Sequence, residues 1–220
     1  MQTHVFAVSR TARYCTLGSF SAAARTVWFV CHGYGQLAPY FIKKFTSLAN
    51  DQTLVVAPEG LSRFYLAGFG GRIGATWMTK EERLTEIGDY VYYLDALYQH
   101  VMSQVHPEAQ VRVLGFSQGV ATVSRWLALG QPKAVAHLVL WAGLPPDDLE
   151  AAAVRQALQQ TAVHLVYGQQ DEFLEKVDFT TALQRIKEQG FDSSVTAFTG
   201  GHDIPETELL RLNTKLASLS

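Results

Sequence analysis

One stretch of the chain, V-R-V-L-G-F-S-Q-G-V at residues 111–120, constrains the fold more than any other. Its apolar run 111–114 predicts a buried strand, and the residues after Ser117 predict a helix. Ser117 stands between the two, with Gly115 two residues before it and Gly119 two residues after it. A chain that turns from strand to helix at one residue places that side chain above the end of the strand. We therefore expect Ser117 to be presented at one edge of a sheet.

The two glycines have a physical reason to flank this serine. A turn this tight forces the serine backbone into a strained conformation, and a Cβ atom at a flanking position would collide with the neighbouring strand or helix. The pattern G-x-S-x-G between a strand and a helix is typical of a nucleophile elbow. A serine placed in this way needs a base, an acid that orients the base, and N–H donors for an oxyanion.

The composition argues against several other classes of protein. Hydrophobic residues make up 48% of the 220 residues and charged residues 17%, which predicts a globular protein with a single domain over 1–220. The formal net charge of −2, without a run of lysine or arginine, gives no reason to expect a nucleic-acid partner. Two cysteines do not make a disulfide framework. We see no signal peptide and no membrane-spanning run, so we expect a cytoplasmic protein.

Strand and helix patterns alternate along most of the chain. Strands are predicted at 5–8 and 14–20 (an edge hairpin), and then at 26–31, 53–57, 111–114, 137–141, 164–167 and 195–198. Helices are predicted at 38–50, 80–104, 118–130, 147–159 (capped by Asp147), 174–189 and 206–219. The glycine- and aromatic-rich segment 63–78 is predicted to be an irregular loop.

This alternation predicts an α/β fold with a mostly parallel central sheet and helices on both faces. Ligands of such sheets bind beyond the carboxyl ends of the strands. Only about twenty residues separate the strand at 137–141 from the next strand, which leaves no room for a cap domain.

Two histidines directly follow strands and are candidates for the base. His202 follows the last strand in the sequence T-G-G-H, and His32 follows the strand at 26–31. In serine hydrolases with an elbow, the chain order is nucleophile, acid, histidine, and this order favours His202. We interpret His32 as a structural residue that shapes its loop.

The acid is expected at a strand end between Ser117 and His202. Asp171, in G-Q-Q-D after the strand at 164–167, meets this condition, although an aspartate there also suits a plain helix N-cap. Asp147 and Asp148 follow the preceding strand and are the alternatives. Asp203 adjoins His202 and is discounted.

The oxyanion of the tetrahedral intermediate needs two backbone donors. The residue after the nucleophile, Gln118, supplies one N–H at the start of its helix. The second is expected from H-G-Y-G at residues 32–35, where the glycines permit close approach and Tyr34 N–H is the candidate donor.

Four motifs together resemble the phospholipase/carboxylesterase family, which includes the acyl-protein thioesterases and small bacterial carboxylesterases. They are H-G-Y-G at 32–35, G-F-S-Q-G at 115–119, G-x-x-D at 168–171 and G-G-H-x-I at 200–204. The resemblance implies an α/β-hydrolase fold, with Ser117, Asp171 and His202 as the catalytic triad. It also implies an oxyanion hole from Tyr34 and Gln118. The chain departs from the thioesterases in three places. Val120 stands where they usually have a further glycine, no acidic residue follows H-G-Y-G, and the glycine-rich segment 63–78 is unlike the thioesterase loop.

The segment 63–78 is the candidate cover of the substrate site. Trp77 is predicted to form a wall of an acyl pocket, with Phe69 and Met78 as further substrate contacts. The alternative is that these side chains fill the edge of the core. Arg72 is either solvated or paired with an anionic group of the substrate. Zinc-ligand spacings, phosphate-binding loops and dinucleotide fingerprints are absent from the sequence, so no cofactor and no metal are expected.

The sequence therefore predicts a serine hydrolase that acts on carboxylic esters or thioesters. The expected partner is a small-molecule ester or acyl substrate, and a homodimer is left open. Two alternatives remain at this point: a non-catalytic binding module with the same fold, and an acyltransferase.

Overall fold

The computed structural model describes residues 1–132, 134–174 and 177–219. The strands are β1 (Tyr14–Leu17), β2 (Thr26–Cys31), β3 (Thr53–Pro58), β4 (Ser62–Tyr65), β5 (Ile73–Thr76), β6 (Gln110–Phe116), β7 (Val135–Trp141), β8 (Ala162–Gly168) and β9 (Ser193–Phe198). Seven of them form one sheet in the order β1-β3-β2-β6-β7-β8-β9. All neighbours in this sheet are parallel except β1, which pairs antiparallel with β3.

Helices cover both faces of the sheet. They are α1 (Ala38–Phe41), α2 (Arg83–Met102), α3 (Gln118–Leu129), α4 (Ala151–Ala157), α5 (Phe179–Glu188) and α6 (Glu206–Ala217), with a 3₁₀ segment at Ile42–Leu48. The expected α/β-hydrolase fold is confirmed. In the described residues, α4 is the only helix between β7 and β8, so no cap domain is present there.

The central strands are buried on both faces, which explains their continuous apolar sequences. In β2, Val27 and Phe29 pack into the core under α2 and α3, whereas Trp28 and Val30 pack into the core under α1 and α6. All four side chains are fully buried. The sheet is therefore packed on both faces. The loops that contain the candidate site residues lie at its carboxyl edge.

Two predictions at the N-terminal part of the chain are wrong. Residues 5–8 form no strand, and β1 pairs with β3 rather than with a preceding strand as a hairpin. The side chains of Val5, Phe6 and Val8 are exposed, so this apolar run does not pack against the sheet. The edge position of β1 itself is confirmed.

The segment 63–78 is not an irregular loop. β4 and β5 form an antiparallel hairpin with Ser62 opposite Thr76 and Tyr65 opposite Ile73. Backbone hydrogen bonds join the hairpin to the H-G-Y-G-Q segment, from Gly35 N to the Ala75 carbonyl at 2.9 Å and from Ala75 N to the Gln36 carbonyl at 3.2 Å. The hairpin thus lies beside the loop that was predicted to supply an oxyanion donor.

The remaining differences between the predicted and the observed structure concern the helix boundaries. The predicted helix at 38–50 is a short α1 followed by a 3₁₀ segment. The predicted cap Asp147 does not begin α4, which starts after Glu150; instead its carboxylate accepts a hydrogen bond from Arg185. The helix predicted at 174–189 begins at Phe179, because the Asp178 side chain caps it; residues 175 and 176 of that prediction lie outside the described residues. None of the described helices combines the length and the apolar character that crossing a bilayer requires.

Candidate active site

The turn at Ser117 has the strained geometry that its sequence predicts. Ser117 has φ 54° and ψ −116°, a backbone conformation that a residue with a side chain rarely adopts. A Cβ on Gly115 would overlap the Gly119 carbonyl, and a Cβ on Gly119 would overlap the Cys31 carbonyl. Only glycine fits at both positions, and the serine side chain is therefore turned out at the end of β6.

Two backbone hydrogen bonds hold the elbow. Ser117 N donates to the carbonyl of Trp141 at 2.9 Å, which ties the turn to the end of the neighbouring strand β7. The Ser117 carbonyl accepts from Val120 N at 2.9 Å inside the first turn of α3. Ser117 remains partly exposed, so its hydroxyl is accessible to a ligand.

The structure brings His202 and Asp171 together. His202 Nδ1 lies 2.8 Å from Asp171 Oδ2, and the Asp171 side chain is fully buried while that of His202 is 18% exposed. A carboxylate accepts hydrogen bonds only, so Nδ1 carries the proton. Asp171 Oδ1 accepts a second hydrogen bond, from Phe173 N at 3.0 Å. This arrangement leaves His202 Nε2 as the free, basic nitrogen of the ring.

The loops that carry these two residues are bonded to one another. Gln170 N donates to the Gly200 carbonyl at 2.9 Å, and Gln169 N donates to the Phe198 carbonyl at 2.8 Å. The loops pass so closely that a Cβ on Gly168 would overlap the Gly200 carbonyl. Because β8 and β9 pair in parallel, Asp171 and His202 lie at the same edge of the sheet.

Three aromatic side chains position the histidine, and sequence reasoning did not find them. The ring of Phe116 lies 4.9 Å from the His202 ring, and that of Phe173 lies 4.6 Å from it. Because Phe116 directly precedes Ser117, this contact sets the histidine beside the elbow. The backbone carbonyl of Trp141 accepts from Ser117 N, and its indole N–H donates to the Asp203 carbonyl at 2.9 Å. The only signal in the sequence is that Phe116 and Trp141 end β6 and β7 and that Phe173 lies in the loop after β8.

The predicted oxyanion donors lie on the two sides of Ser117. A Cβ on Gly33 would lie 3.1 Å from the Ser117 Cβ, so the H-G-Y-G loop touches the serine. Gly33 N donates to Gln36 Oε1 and Gly35 N to the Ala75 carbonyl, whereas Tyr34 N and Gln118 N donate to no acceptor in the described part of the chain. Both N–H groups are therefore available for a ligand oxygen. Unpaired backbone donors of this kind are what an oxyanion hole requires.

Comparison with known proteins identifies the family. The phospholipase/carboxylesterase family matches residues 18–220. The chain belongs to this family. It is therefore a hydrolase of the carboxylesterase and thioesterase type. No curated protein matches the chain.

Several solved structures share the fold. The chain is similar to the esterase PE8, with 23% identity over 96% of this chain and 98% of that chain and a TM-score of 0.66. It is also similar to acyl-protein thioesterase 2 from Zea mays, with 14% identity over 94% and 99% and a TM-score of 0.68. A carboxylesterase from Mesorhizobium loti has 18% identity over 94% of each chain and a TM-score of 0.67. At these identities the likeness concerns the fold.

In this family member, His32 occupies a structural position. It is fully buried, its Nδ1 lies 2.7 Å from the Gly33 carbonyl, and its Nε2 accepts from Gly60 N at 3.0 Å. Burial lowers the pKa of His32 to about 4, so the ring is neutral at physiological pH. The imidazole thereby fixes the start of the loop that carries Tyr34.

The structure buries Trp77 at the edge of the core. Trp77 is 1% exposed, its ring lies 5.0 Å from that of His32, and its indole N–H donates to the His32 carbonyl at 2.9 Å. Its position fits the alternative weighed from the sequence, in which these aromatics fill the edge of the core. Phe69, in contrast, is completely exposed at the tip of the β4–β5 hairpin.

Met78 is partly buried against the same core. Its carbonyl accepts hydrogen bonds from the side chains of Thr76, at 2.9 Å, and Gln118, at 3.0 Å. The Gln118 amide group therefore joins the end of the hairpin to the start of α3, a role that the sequence did not indicate. Its backbone N–H donates to no acceptor among the described residues.

The remaining aspartates are engaged elsewhere. Asp148 forms ion pairs with Arg83 and Arg125, and Asp203 forms an ion pair with Lys44. The described residues contain no group of three or more histidine, cysteine, aspartate or glutamate side chains that is arranged to hold a metal ion. Of the candidate acids, Asp171 is the one that contacts His202.

Proposed function

We propose that this chain is a serine esterase that cleaves carboxylic esters, and thioesters of similar shape, through an acyl-enzyme intermediate. Ser117 is the nucleophile, His202 the general base and Asp171 the orienting acid. The observation that carries the proposal is the 2.8 Å contact between His202 Nδ1 and buried Asp171 Oδ2. This contact leaves His202 with a free Nε2 at the sheet edge where Ser117 also lies.

In the first half of the reaction, His202 Nε2 accepts the hydroxyl proton while Ser117 Oγ attacks the carbonyl carbon of the substrate. The carbonyl oxygen becomes an oxyanion, which accepts hydrogen bonds from Tyr34 N–H and Gln118 N–H. The intermediate collapses, the bond to the leaving alcohol or thiol breaks, and His202 returns the proton to the leaving group. An acyl ester on Ser117 remains.

Water completes the cycle. His202 Nε2 takes a proton from a water molecule, whose oxygen attacks the acyl carbon, and the same two N–H groups hold the second oxyanion. Collapse breaks the bond to Ser117 Oγ, which regains its proton from His202. The products are a carboxylic acid and the free enzyme, and Asp171 stabilises the imidazolium in both halves of the cycle.

The kinetic test uses p-nitrophenyl esters from acetate to decanoate. We expect hydrolysis by the wild type and a fall in kcat of at least about 10⁴-fold in Ser117→Ala, because the nucleophile is lost. The matched control is Ser9→Ala, which removes an exposed serine far from the elbow in sequence. A folded wild type that hydrolyses none of these esters would instead support a binding module.

Two further arms of this test distinguish the remaining alternatives. An oxygen ester and a thioester with the same acyl chain report which bond is preferred. Added alcohol and amine acceptors report acyl transfer: product partitioning that favours an acceptor over water at low acceptor concentration would support an acyltransferase.

A further inference from the structure

A cleft lies between the β4–β5 hairpin and the segment that contains α1. Its volume is about 720 Å³. Its lining consists of the side chains and backbone of Gly35, Gln36, Leu37, Tyr40, Phe41, Lys44, Leu66, Gly71, Arg72 and Ile73. We call it the hairpin cleft.

The hairpin cleft lies next to the candidate site. Gly33 touches Ser117, Tyr34 carries the free N–H, and Gly35, the next residue, lines the cleft. Lys44, which also lines the cleft, is paired with Asp203, the residue after His202. An acyl chain bound to Ser117 would therefore have this cleft beside it.

The lining combines apolar side chains with uncompensated positive charge. The apolar part is supplied mainly by Leu37, Phe41, Leu66 and Ile73, and no acidic residue is among the residues that line the cleft. An apolar chain alone would not need a cation in this wall.

The two cations of the cleft are not equivalent. Lys44 is already paired with Asp203, so its charge is largely neutralised. Arg72 is exposed, and its guanidinium has no ion-pair or hydrogen-bond partner among the described residues. Its backbone is nevertheless fixed, because Leu66 N donates to the Arg72 carbonyl at 2.8 Å across the hairpin. An unpaired guanidinium on this fixed backbone is suited to a planar carboxylate.

We propose that Arg72 is a specificity-determining residue that selects acyl chains ending in a carboxylate, with the apolar part of the chain in the hairpin cleft. The inference rests on the proposed esterase function and names its substrate class. It makes the preferred substrates half-esters of dicarboxylic acids rather than simple fatty esters.

The test compares mono-p-nitrophenyl esters of dicarboxylic acids, from succinate to sebacate, with p-nitrophenyl esters of the monocarboxylic acids of equal length. The measurement is the ratio of kcat/KM for the carboxylate ester to that for its neutral counterpart, because this ratio cancels any general loss of activity. In the wild type we expect the ratio to exceed one at the chain length that reaches Arg72. In Arg72→Gln we expect it to fall by about fivefold to tenfold, the range of a hydrogen-bonded charge pair.

The controls separate charge from structure. Arg72→Glu should lower the ratio further and should favour an ester whose acyl chain ends in a trimethylammonium group. Arg25→Gln, at the start of β2, removes an exposed arginine from the opposite end of the sheet and should leave the ratio unchanged. The wild-type preference should weaken as salt is raised.

The outcomes distinguish this inference from the proposed function. Hydrolysis of neutral esters without a carboxylate preference, or a ratio that Arg72→Gln does not change, overturns the inference and leaves the esterase standing. A folded wild type that hydrolyses neither class of ester overturns both.

Discussion

At the scale of single residues, the contact between His202 and Asp171 determines how the site works. A neutral imidazole has two tautomers, and only the one with its proton on Nδ1 presents a basic Nε2 to the serine. The buried Asp171 carboxylate selects that tautomer through the 2.8 Å hydrogen bond. This bond and the ring contacts of Phe116 and Phe173 fix the orientation of the His202 imidazole.

We predict that Asp171→Asn folds normally and lowers kcat on activated esters by about 10³–10⁴-fold, because the amide favours the wrong tautomer. Steady-state rates and a circular dichroism spectrum are sufficient measurements. The matched control is Asp203→Asn, which changes the aspartate next to His202 but not its acid partner; we expect a loss of less than about tenfold. Equal losses in the two variants would contradict the role of Asp171.

The sequence predicts an activity that rises with pH, because a histidine base works only when it is neutral. We expect kcat/KM to increase through a single ionisation between about pH 5 and 8. The measurement is a pH profile on a neutral ester, corrected for spontaneous hydrolysis. A flat profile over this range would argue against His202 as the base.

Much of the candidate site could be predicted from the order of its residues and of the strands along the chain. In an α/β fold, a residue that directly follows a parallel strand lies at the carboxyl edge, so Ser117, Asp171 and His202 were found from their places after β6, β8 and β9. Trp141 and Phe173 could not be found in this way. Their roles depend on ring orientation and on hydrogen bonds between loops, which no local pattern encodes.

At the scale of elements, the elbow depends on the absence of side chains at its close contacts. α3 starts against the end of β2, and the Cys31 carbonyl lies where a Cβ of residue 119 would be. Gly88, in the middle of α2, is exposed and has open space around its Cβ position. The two glycines therefore make a matched pair with opposite expected effects.

We predict that Gly119→Ala lowers the free energy of unfolding by at least about 2 kcal/mol, because backbone atoms must move apart. Gly88→Ala should raise it by about 0.5–1 kcal/mol, since alanine favours the helix. Urea denaturation of both variants measures the two changes. A stable Gly119→Ala with full activity would show that the elbow does not need this close approach.

The β4–β5 hairpin illustrates what the sequence does not reveal about elements. Its strands have four residues each, and β5 contains Gly74, so no alternating pattern is visible. Its position depends on a partner far away in sequence through the hydrogen bond from Gly35 N to the Ala75 carbonyl, and on a local ion pair of 2.7 Å between Arg63 and buried Glu59. Trp77 follows the same rule, because only the tertiary fold shows that it packs on His32.

At the scale of the whole molecule, the candidate site and the buried pair His137 and His164 lie at opposite ends of the sheet. His137 and His164 sit near the starts of β7 and β8, 3.2 Å apart between Nδ1 and Nε2, and both are almost fully buried. Burial lowers the pKa of His164 to about 4, and the neighbouring charges of His137 and Lys215 act in the same direction. The pKa of His137 is lowered by burial and by Arg112.

These shifts predict a fold that loses stability in mild acid. The unfolded chain binds a proton at His164 below about pH 6.5, whereas the folded chain does not until about pH 4. The free energy of unfolding therefore falls as pH is lowered through this window, by up to about 3 kcal/mol from His164 alone. Urea denaturation at a series of pH values measures the fall.

The variant that tests this cause is His164→Asn, which should show a shallower loss of stability between about pH 6.5 and 4 than the wild type. His4→Gln, which changes an exposed histidine, serves as the matched control and should retain the wild-type slope. If His164→Asn also retains the full slope, the buried pair is not the source of the acid sensitivity.

The claim that joins all three scales is that Ser117 is an activated nucleophile. A fluorophosphonate reacts with such a serine, and intact-mass spectrometry followed by peptide mapping locates the adduct. We predict a single adduct on the peptide that contains Ser117, slower labelling in Asp171→Asn, and none in Ser117→Ala. A folded wild type that stays unlabelled, or an adduct on any other residue, would contradict the account.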